Sequence, residues 1–428
     1  MKKKLSALTR RVSPFFKNLW GELVTPPHFF HNLNQNLNRE TKSRQYQPQH
    51  QPQPQDQPQP QDESQQQPQQ QPEENDEDYG EGREAGVQKE DPAPLLQKYG
   101  YDPNVLKQYA FSVESVVPHG SVILLNTSTG PVALKKTRLP QKQIRFIAHA
   151  LQHVAQNGFH RVSRMIPNTN GFFFTLLGDQ TYYVTQWIEG QTADFSSVRH
   201  VAESALTIAE FHRAARGFVS VSYQPESIIL KHLLQTRTQQ LDQFLTKAKE
   251  KRKPDDVDRF VLRYLPAYKK QALQAVKLLN DPRVVHFLKQ EEEDPGLAHL
   301  DITPTNLIFT PQNQICLIDF DRLSYAPRML DIGHMMRRSL QANRWQREFA
   351  LISLVQVNQV EPLRHAEYTI LQSILTFPHS VWRNCRNHYL RKSSPYTLAA
   401  LEQLQEQEAD RQSFLEDFAA HVERHKGP

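Results

Sequence analysis

Apolar residues along this chain change their spacing several times, and each change marks a different kind of element. Leu5, Leu8, Val12, Phe15, Phe16, Leu19 and Leu23 recur at helical spacing. Pro14 is set to kink or restart any such helix. The pattern then stops. Residues 47–72 are a Gln-Pro tract with no apolar side chain to bury, which predicts an extended spacer rather than a packed unit. An acidic run, Glu73 to Glu84, follows and reads as a solvating linker.

Folding is expected to begin near Pro92. Phe111–Val117 and Ser121–Asn126 read as paired strands around Pro118-His119-Gly120, and a turn at Ser128-Thr129-Gly130 leads into the strand-like Val132 to Lys135. A helix is predicted over Gln141 to Gln156, ended by Asn157-Gly158. Phe172–Leu177 and Thr181–Ile188 form a hairpin around Gly178-Asp179-Gln180. Beyond residue 190 the spacing turns helical. Helices are predicted over Val201 to Arg216, Tyr264 to Leu279, Pro282 to Gln290, and Glu367 to Tyr389 with a break at Phe377-Pro378. Lys247 to Asp256, KAKEKRKPDD, reads as a solvated loop. The tail from Tyr396 is amphipathic and is expected to pack or dimerise. The organisation is thus a basic arm (1–46), a linker (47–93), a small β-rich lobe (94–190) and a helical lobe (191–428), an α+β fold.

Composition supports that division. The chain has 428 residues, only 38% of them hydrophobic, and 29 prolines, as expected of a globular part diluted by a disordered one. Its two cysteines, Cys316 and Cys385, offer neither a disulfide framework nor a zinc ligand set, and point to synthesis in a reducing compartment. No apolar run approaches the roughly 18 residues of a membrane span, and no secretory signal is visible. A net charge of +5 is too small to imply nucleic acid. The charge is concentrated instead: Lys2, Lys3, Lys4, Arg10, Arg11, Lys17, Arg39, Lys42 and Arg44 face only Glu22 and Glu40 in the first 46 residues. Two readings of this arm stand, a solvated tail and a docking arm whose Phe15, Phe16 and Trp20 meet a partner or an anionic surface.

The chemistry lies between Gly296 and Leu340. Asp301 follows His299 by two residues, Asn306 follows Asp301 by five, and an apolar strand, Ile315 to Ile318, delivers Asp319 thirteen residues after Asn306. Phosphoryl transfer needs such a set, because a triphosphate with bound Mg²⁺ is positioned and neutralised rather than attacked covalently. One carboxylate must take the proton of the acceptor hydroxyl, and Asp301 suits that task. A hard cation needs oxygen ligands, which Asn306 and Asp319 supply. Asp321 is either a further metal ligand or a solvated acid. Lys135, on a strand, can reach a cleft as a point charge for phosphate, while Lys136 points to the opposite face. His299 reads as a turn brace, His212 as a structural histidine and Cys316 as an inert small hydrophobe. Asp331 is expected to accept N–H bonds from the catalytic turn, and Arg328 to pair with a carboxylate.

These residues carry a resemblance. HLDITPTN and LIDFD are similar to the HRDxxxxN and DFG motifs of protein kinases, and VALK to their VAIK strand. Asp in place of the DFG glycine, and the following APRxxDIG, look more like the aminoglycoside phosphotransferase and choline kinase-like branch. ALKKTR, AEFHRAARGF, PRMLDIGHMMRR and ILTFPHSVWRNCRNHYL further resemble the spore coat protein S family of endospore-forming bacteria. The likeness covers about residues 100–395. It implies a bilobal protein kinase-like fold, ATP and Mg²⁺ as cofactors, and an unidentified phosphate acceptor. It also implies a place in the spore coat after synthesis in the mother-cell cytoplasm, with other coat proteins as partners through the arm and linker. Onto matching positions it carries Lys135 as phosphate contact, Asp301 as base, and Asn306 with Asp319 as metal ligands. Thr185-Gln186-Trp187-Ile188 would be the hinge, where the backbone of Gln186, Trp187 and Ile188 meets the adenine edge. Core packing is an equal reading for the Trp187 ring. The chain departs from the pattern at Leu300 and Ala326, where glycine is usual and where the larger residues would narrow the acceptor pocket. It departs also in the helix after Lys135, which offers Gln141, Gln143 and His149 but no acid to brace the lysine. A glycine-rich loop is reduced to Gly120. Two functions follow: a phosphotransferase acting on a hydroxyl of a small molecule or coat component, and a structural coat protein with a kinase-like fold and little or no turnover.

Overall fold

The computed structural model describes residues 91–424 apart from 221, 222, 224, 392 and 393. The readings of the basic arm, the Gln-Pro tract and the acidic run lie outside the described residues.

Helix α1 (Pro92–Lys98) starts where Asp91 caps the Ala93 amide and Pro92 fixes the first turn. A short 3-10 turn, Pro103–Gln108, is capped in the same way by Asp102. The sheet that follows contains β1 (Val113–His119), β2 (Val122–Thr127), β3 (Val132–Thr137), β4 (Met165–Ile166), β5 (Thr175–Leu177) and β6 (Gln180–Gln186). It is antiparallel in the order β1-β2-β3-β6-β4, with β5 also paired to β6. Strand alternation assigns its two faces. Val132 and Leu134, with Ile123, Leu125, Tyr182 and Val184, bury against Leu96, Tyr101, Val105 and Tyr109. Ala133 and Lys135 face the other way, into a cavity. Lys136 takes the core-side face at its rim and donates to the Gly100 carbonyl at 2.8 Å. Helix α2 (Gln141–Gln156) follows, with Ile144, Ile147, Ala148, Leu151 and Val154 buried along one stripe.

The second lobe is mostly helical: β7 (Gln191–Thr192), α3 (Val198–Ala214), α4 (Leu230–Glu250), α5 (Asp256–Leu278) and α6 (Pro282–Glu293) come first. Next are β8 (Leu297–Ala298), β9 (Leu307–Phe309), β10 (Ile315–Leu317) and β11 (Ser324–Tyr325). Last are α7 (Met329–Ala342), α8 (Arg347–Val360), α9 (His365–Thr376), α10 (His379–Leu390), α11 (Thr397–Glu406) and α12 (Glu408–Arg424). The short strands form a β10-β9-β7 sheet and a β11-β8 pair. Gly190 makes the first of these possible. A Cβ there would lie 2.4 Å from the Phe309 carbonyl oxygen, and its φ of +149° favours glycine.

One expectation is corrected. Lys247 to Glu250 are not loop but the last turn of α4, because Leu234, Thr238, Leu241, Phe244 and Ala248 continue one buried stripe past the charges. The loop shrinks to residues 251–255, ended by an Asp255–Asp258 capping box. The tail packs within the chain. Arg411 of α12 donates to the carbonyls of Leu375 and Thr376, which close α9, and Phe414 lies 5.7 Å from the Trp345 ring. Arg328 pairs with Glu367 and Glu361. No helix among the described residues is long and apolar enough to cross a membrane.

Candidate active site

A cavity of about 640 Å³ opens between the inner face of the large sheet and the segment from Asp301 to Asp321. Lys135, Asp301, Asn306, Asp319 and Asp321 all line it. Gln186, Trp187 and Ile188 line it too, so every residue singled out as a site candidate reaches one space. Leu300 and Ala326 do not, so neither narrows this cavity.

The turn carrying Asp301 is built on Asp331. This buried carboxylate accepts from the amides of His299 (2.7 Å) and Leu300 (2.8 Å) and from His212 Nε2 (3.0 Å). Burial works against its charge, but the hydrogen bond and charge of His212, with His299 and the Leu300 amide, outweigh burial and hold its pKa below the usual carboxylate range. Leu300 is thereby held at φ +63°, in the left-handed region that costs a residue with a Cβ and that glycine adopts freely. His299 closes the turn from inside. Its Nδ1 accepts from the Asp301 amide (3.3 Å) and its Nε2 donates to the Ile318 carbonyl (2.9 Å), so the two bonds together require the Nε2–H tautomer.

Asn306 continues the frame. Its Nδ2 donates to the Asp301 carbonyl at 2.9 Å, which commits the amine side of the amide and leaves Oδ1 as a free-standing oxygen donor. Its backbone carbonyl accepts from Ile318, tying the start of β9 to the end of β10. Asp319 follows at φ +61°, a strained position for a residue with a Cβ.

Lys135 Nζ lies 2.7 Å from Asp319 Oδ1 and 2.8 Å from Asp321 Oδ2. The brace that α2 lacks is therefore supplied by the acids of the DFD segment. Burial lowers the lysine pKa, but Asp321 and Asp319 together more than offset it and hold the pKa above the ordinary lysine value. Asp321 is no merely solvated acid, because Tyr183 donates to its second oxygen at 2.5 Å. Burial and the Asp321 charge push the Tyr183 pKa well above that of a free phenol. Tyr183 escaped the sequence reading. It is the cross-strand neighbour of Lys135, a relation that exists only once β3 and β6 are in register. Helix α2 still touches the segment: Gln143 Nε2 donates to the Leu323 carbonyl at 3.0 Å.

At the hinge, much of the backbone is already committed. The Gln186 amide donates to Arg164, its carbonyl accepts from Ser163 Oγ, and the Trp187 amide donates to Pro131. The Trp187 carbonyl and the Ile188 amide have no partner among the described residues. The Trp187 ring meets His119 edge-on at 5.1 Å and lines the cavity.

The donor set fits a hard cation and a polyphosphate. Two carboxylates and an amide oxygen stand beside one ammonium, and there is no thiol or imidazole among them. A different group of acids, Asp255 and Asp258 with His388, is already neutralised by Lys251 at 2.7 and 2.6 Å.

Comparison with known proteins gives the family and the fold. Residues 119–368, more than half of the chain, match a phosphotransferase enzyme family, APH. The chain is similar to the crystal structure of an aminoglycoside phosphotransferase from Alicyclobacillus acidocaldarius subsp. acidocaldarius DSM 446. The two share 31% identity over 74% of this chain and 95% of the other, with a TM-score of 0.69. It is similar in fold to the AMP-bound complex of spectinomycin phosphotransferase APH(9)-Ia, with 12% identity over 78% of this chain and 98% of the other, and a TM-score of 0.50.

Proposed function

Because the chain belongs to the APH phosphotransferase enzyme family, we propose that it transfers the γ-phosphoryl group of ATP to a hydroxyl group of a small molecule. The observation that carries this reading is the approach of Lys135 to within 2.8 Å of both Asp319 and Asp321, on the cavity that Asp301 and Asn306 also line. Lys135 would contact the phosphate chain. Asp319, Asp321 and Asn306 Oδ1 would hold Mg²⁺, which when bound neutralises phosphate charge. Asp301 would accept the proton of the acceptor hydroxyl. The Trp187 carbonyl and the Ile188 amide would meet the adenine edge.

The resemblance to the spore coat protein S family extends the proposal to a place. The enzyme would work at the spore coat, reached from the mother-cell cytoplasm, with residues 1–93 as the contact to other coat proteins. A fluorescent fusion of the full chain should then mark the coat, and one lacking residues 1–46 should not. A second reading, a coat protein with a kinase-like fold and little turnover, is favoured by one feature, the absence of any acid on α2.

One titration separates the two. ATP with Mg²⁺ should raise the melting temperature of the full chain, and Asp319→Ala should abolish the Mg²⁺-dependent part. Absence of that shift in the unaltered protein would remove the enzyme reading. A shift with no ADP formation on any hydroxyl acceptor would favour the second.

A further inference from the structure

A second cavity, of about 540 Å³, adjoins the first. Thr303 and Thr305 line the first, and Pro304 between them lines the second. Thr192 and its neighbour Ala193 divide in the same way. One thin stretch of chain therefore serves both spaces. Arg338, on the wall of the second, is near enough to Asp301 for that carboxylate to favour its charge.

The wall of this second cavity is cationic. Arg337 and Arg338 come from α7 and Arg383 from α10. The carboxylate lining it is Asp194, whose Oδ1 accepts from the amide and hydroxyl of Ser196 at 2.8 and 2.6 Å. Among the described residues, none of the three arginines forms an ion pair with a carboxylate within 4.0 Å. Arg337 is only 4% exposed. Its Nη1 donates to Gln341 Oε1 (2.7 Å) and Ser380 Oγ (2.8 Å), both neutral, and its Nε is buried without a partner. Arg338 Nε is likewise buried and unpartnered. Behind them, Arg237 and Arg386 both stack on Trp382, at 4.3 and 4.9 Å, adding cations rather than counterions. Burial, then repulsion from Arg338, Arg383 and Arg237, holds Arg337 well below the arginine range.

A buried cation such as Arg337, gathered with two others and no counterion, costs free energy unless an anion completes the cluster. A guanidinium fork matches the paired oxygens of phosphate and carboxylate. We propose that the second cavity holds the phosphate acceptor by an anionic group, so that the acceptor is a small hydroxyl compound bearing a phosphate or a carboxylate. This deepens the phosphotransferase reading and rests on it for the fate of the hydroxyl. With the anionic group on Arg337, Arg338 and Arg383, the hydroxyl faces Asp301. The acceptor oxygen bonds to the γ-phosphorus and the bond from that phosphorus to the β-phosphate oxygen breaks. The electron pair leaves with ADP, and the hydroxyl proton passes to Asp301. Acceptors whose amines are protonated at neutral pH meet like charge at this wall and are rejected.

Inorganic phosphate is the first probe, measured calorimetrically on the full chain carrying Lys135→Met, which removes the phosphate contact of the first cavity. Saturable binding is expected, weakened at least about tenfold by Arg383→Gln or Arg338→Gln and only partly restored in Arg338→Lys, which keeps the charge without the fork. Arg383 is exposed, so its variant should keep the parent melting temperature and report the site alone. Competition against phosphate by sugar phosphates and by sugar acids then tells which anion is preferred, with neutral sugars and amino sugars not competing. Absence of saturable binding, binding indifferent to both glutamine variants, or equal competition by amino sugars overturns the proposal. The Mg²⁺-dependent ATP shift, followed separately through Asp319→Ala, tests the underlying reading. Arginine-dependent anion binding without that shift sinks the kinase and spares the anion site, and the reverse result does the opposite.

Discussion

Asp319 and Asp331 belong to one short stretch of sequence and have opposite surroundings. Asp331 is fully buried, and both its oxygens accept N–H bonds from the fold itself: two backbone amides and an imidazole. The Asp319 side chain is 35% exposed, sits at a strained φ, and is held by a lysine from the other lobe. Backbone donors cannot leave, whereas an ammonium on a four-carbon stem can move aside. The contrast teaches that the partner, rather than the residue type or the motif position, decides whether a carboxylate is framework or chemistry.

Four measurements would break or sharpen that contrast. The largest effect belongs to Asp331→Ala, which strands His212 and two amides without an acceptor. Unfolding by urea should show a loss of about 3–5 kcal/mol. A loss below about 1 kcal/mol would erase the distinction. Asp319→Ala should change stability by no more than about 1 kcal/mol, yet lower kcat/KM at least about a hundredfold once an acceptor is in hand.

Acid tests the framework from another side. On the helix that carries Asp331, burial and then the charges of Arg337 and Arg237 push the pKa of His334 down to about 3. The same causes, burial first, hold His379 well below its ordinary value. The unfolded chain binds protons at these positions that the folded chain refuses. Stability should therefore be full above about pH 6.5 and fall as pH drops from there, for His334 toward its pKa of about 3, by about 1 kcal/mol per pH unit for each histidine while it stays neutral in the folded chain. His334→Asn should flatten that slope in urea titrations between pH 5 and 7. The smallest effect is expected for Gln143→Ala, which loses one hydrogen bond to Leu323 and about 1 kcal/mol. A larger fall in catalysis than in stability would show that α2 helps to set the Lys135 brace after all.

Much of this was legible in the sequence where local signals suffice. Gln141–Gln156 is read to the residue, because Pro140 and Asn157-Gly158 punctuate it. The spacing of Asp301, Asn306 and Asp319 survives translation into space because a single hairpin, β9 to β10, joins them. Helix α8 escaped because Phe349, Ala350, Ile352, Ser353, Leu354, Val355 and Val357 are all buried, which leaves no polar face to reveal a period. Helix α4 was not predicted, and the charges at Lys247 and Lys249 made its last turn read as loop, since long basic side chains solvate their heads while the helix beneath packs. The arginine wall could not be read at all. Its members stand on two helices brought together only by packing, and a lone arginine on a helix predicts nothing.

Gly190 has a consequence for how the two ends of a nucleotide would be spaced. The residues just before it offer the free hinge groups, Trp187 and Ile188, and the strand just after it, β7, pairs with β9 of the hairpin that presents Asp319. Its absent side chain lets those two segments touch, with Phe309 oxygen where a methyl carbon would need to be. A single methyl at this crossing would act as a shim. It would lengthen the ruler between the base-holding and metal-holding ends while leaving every group that does the gripping unchanged.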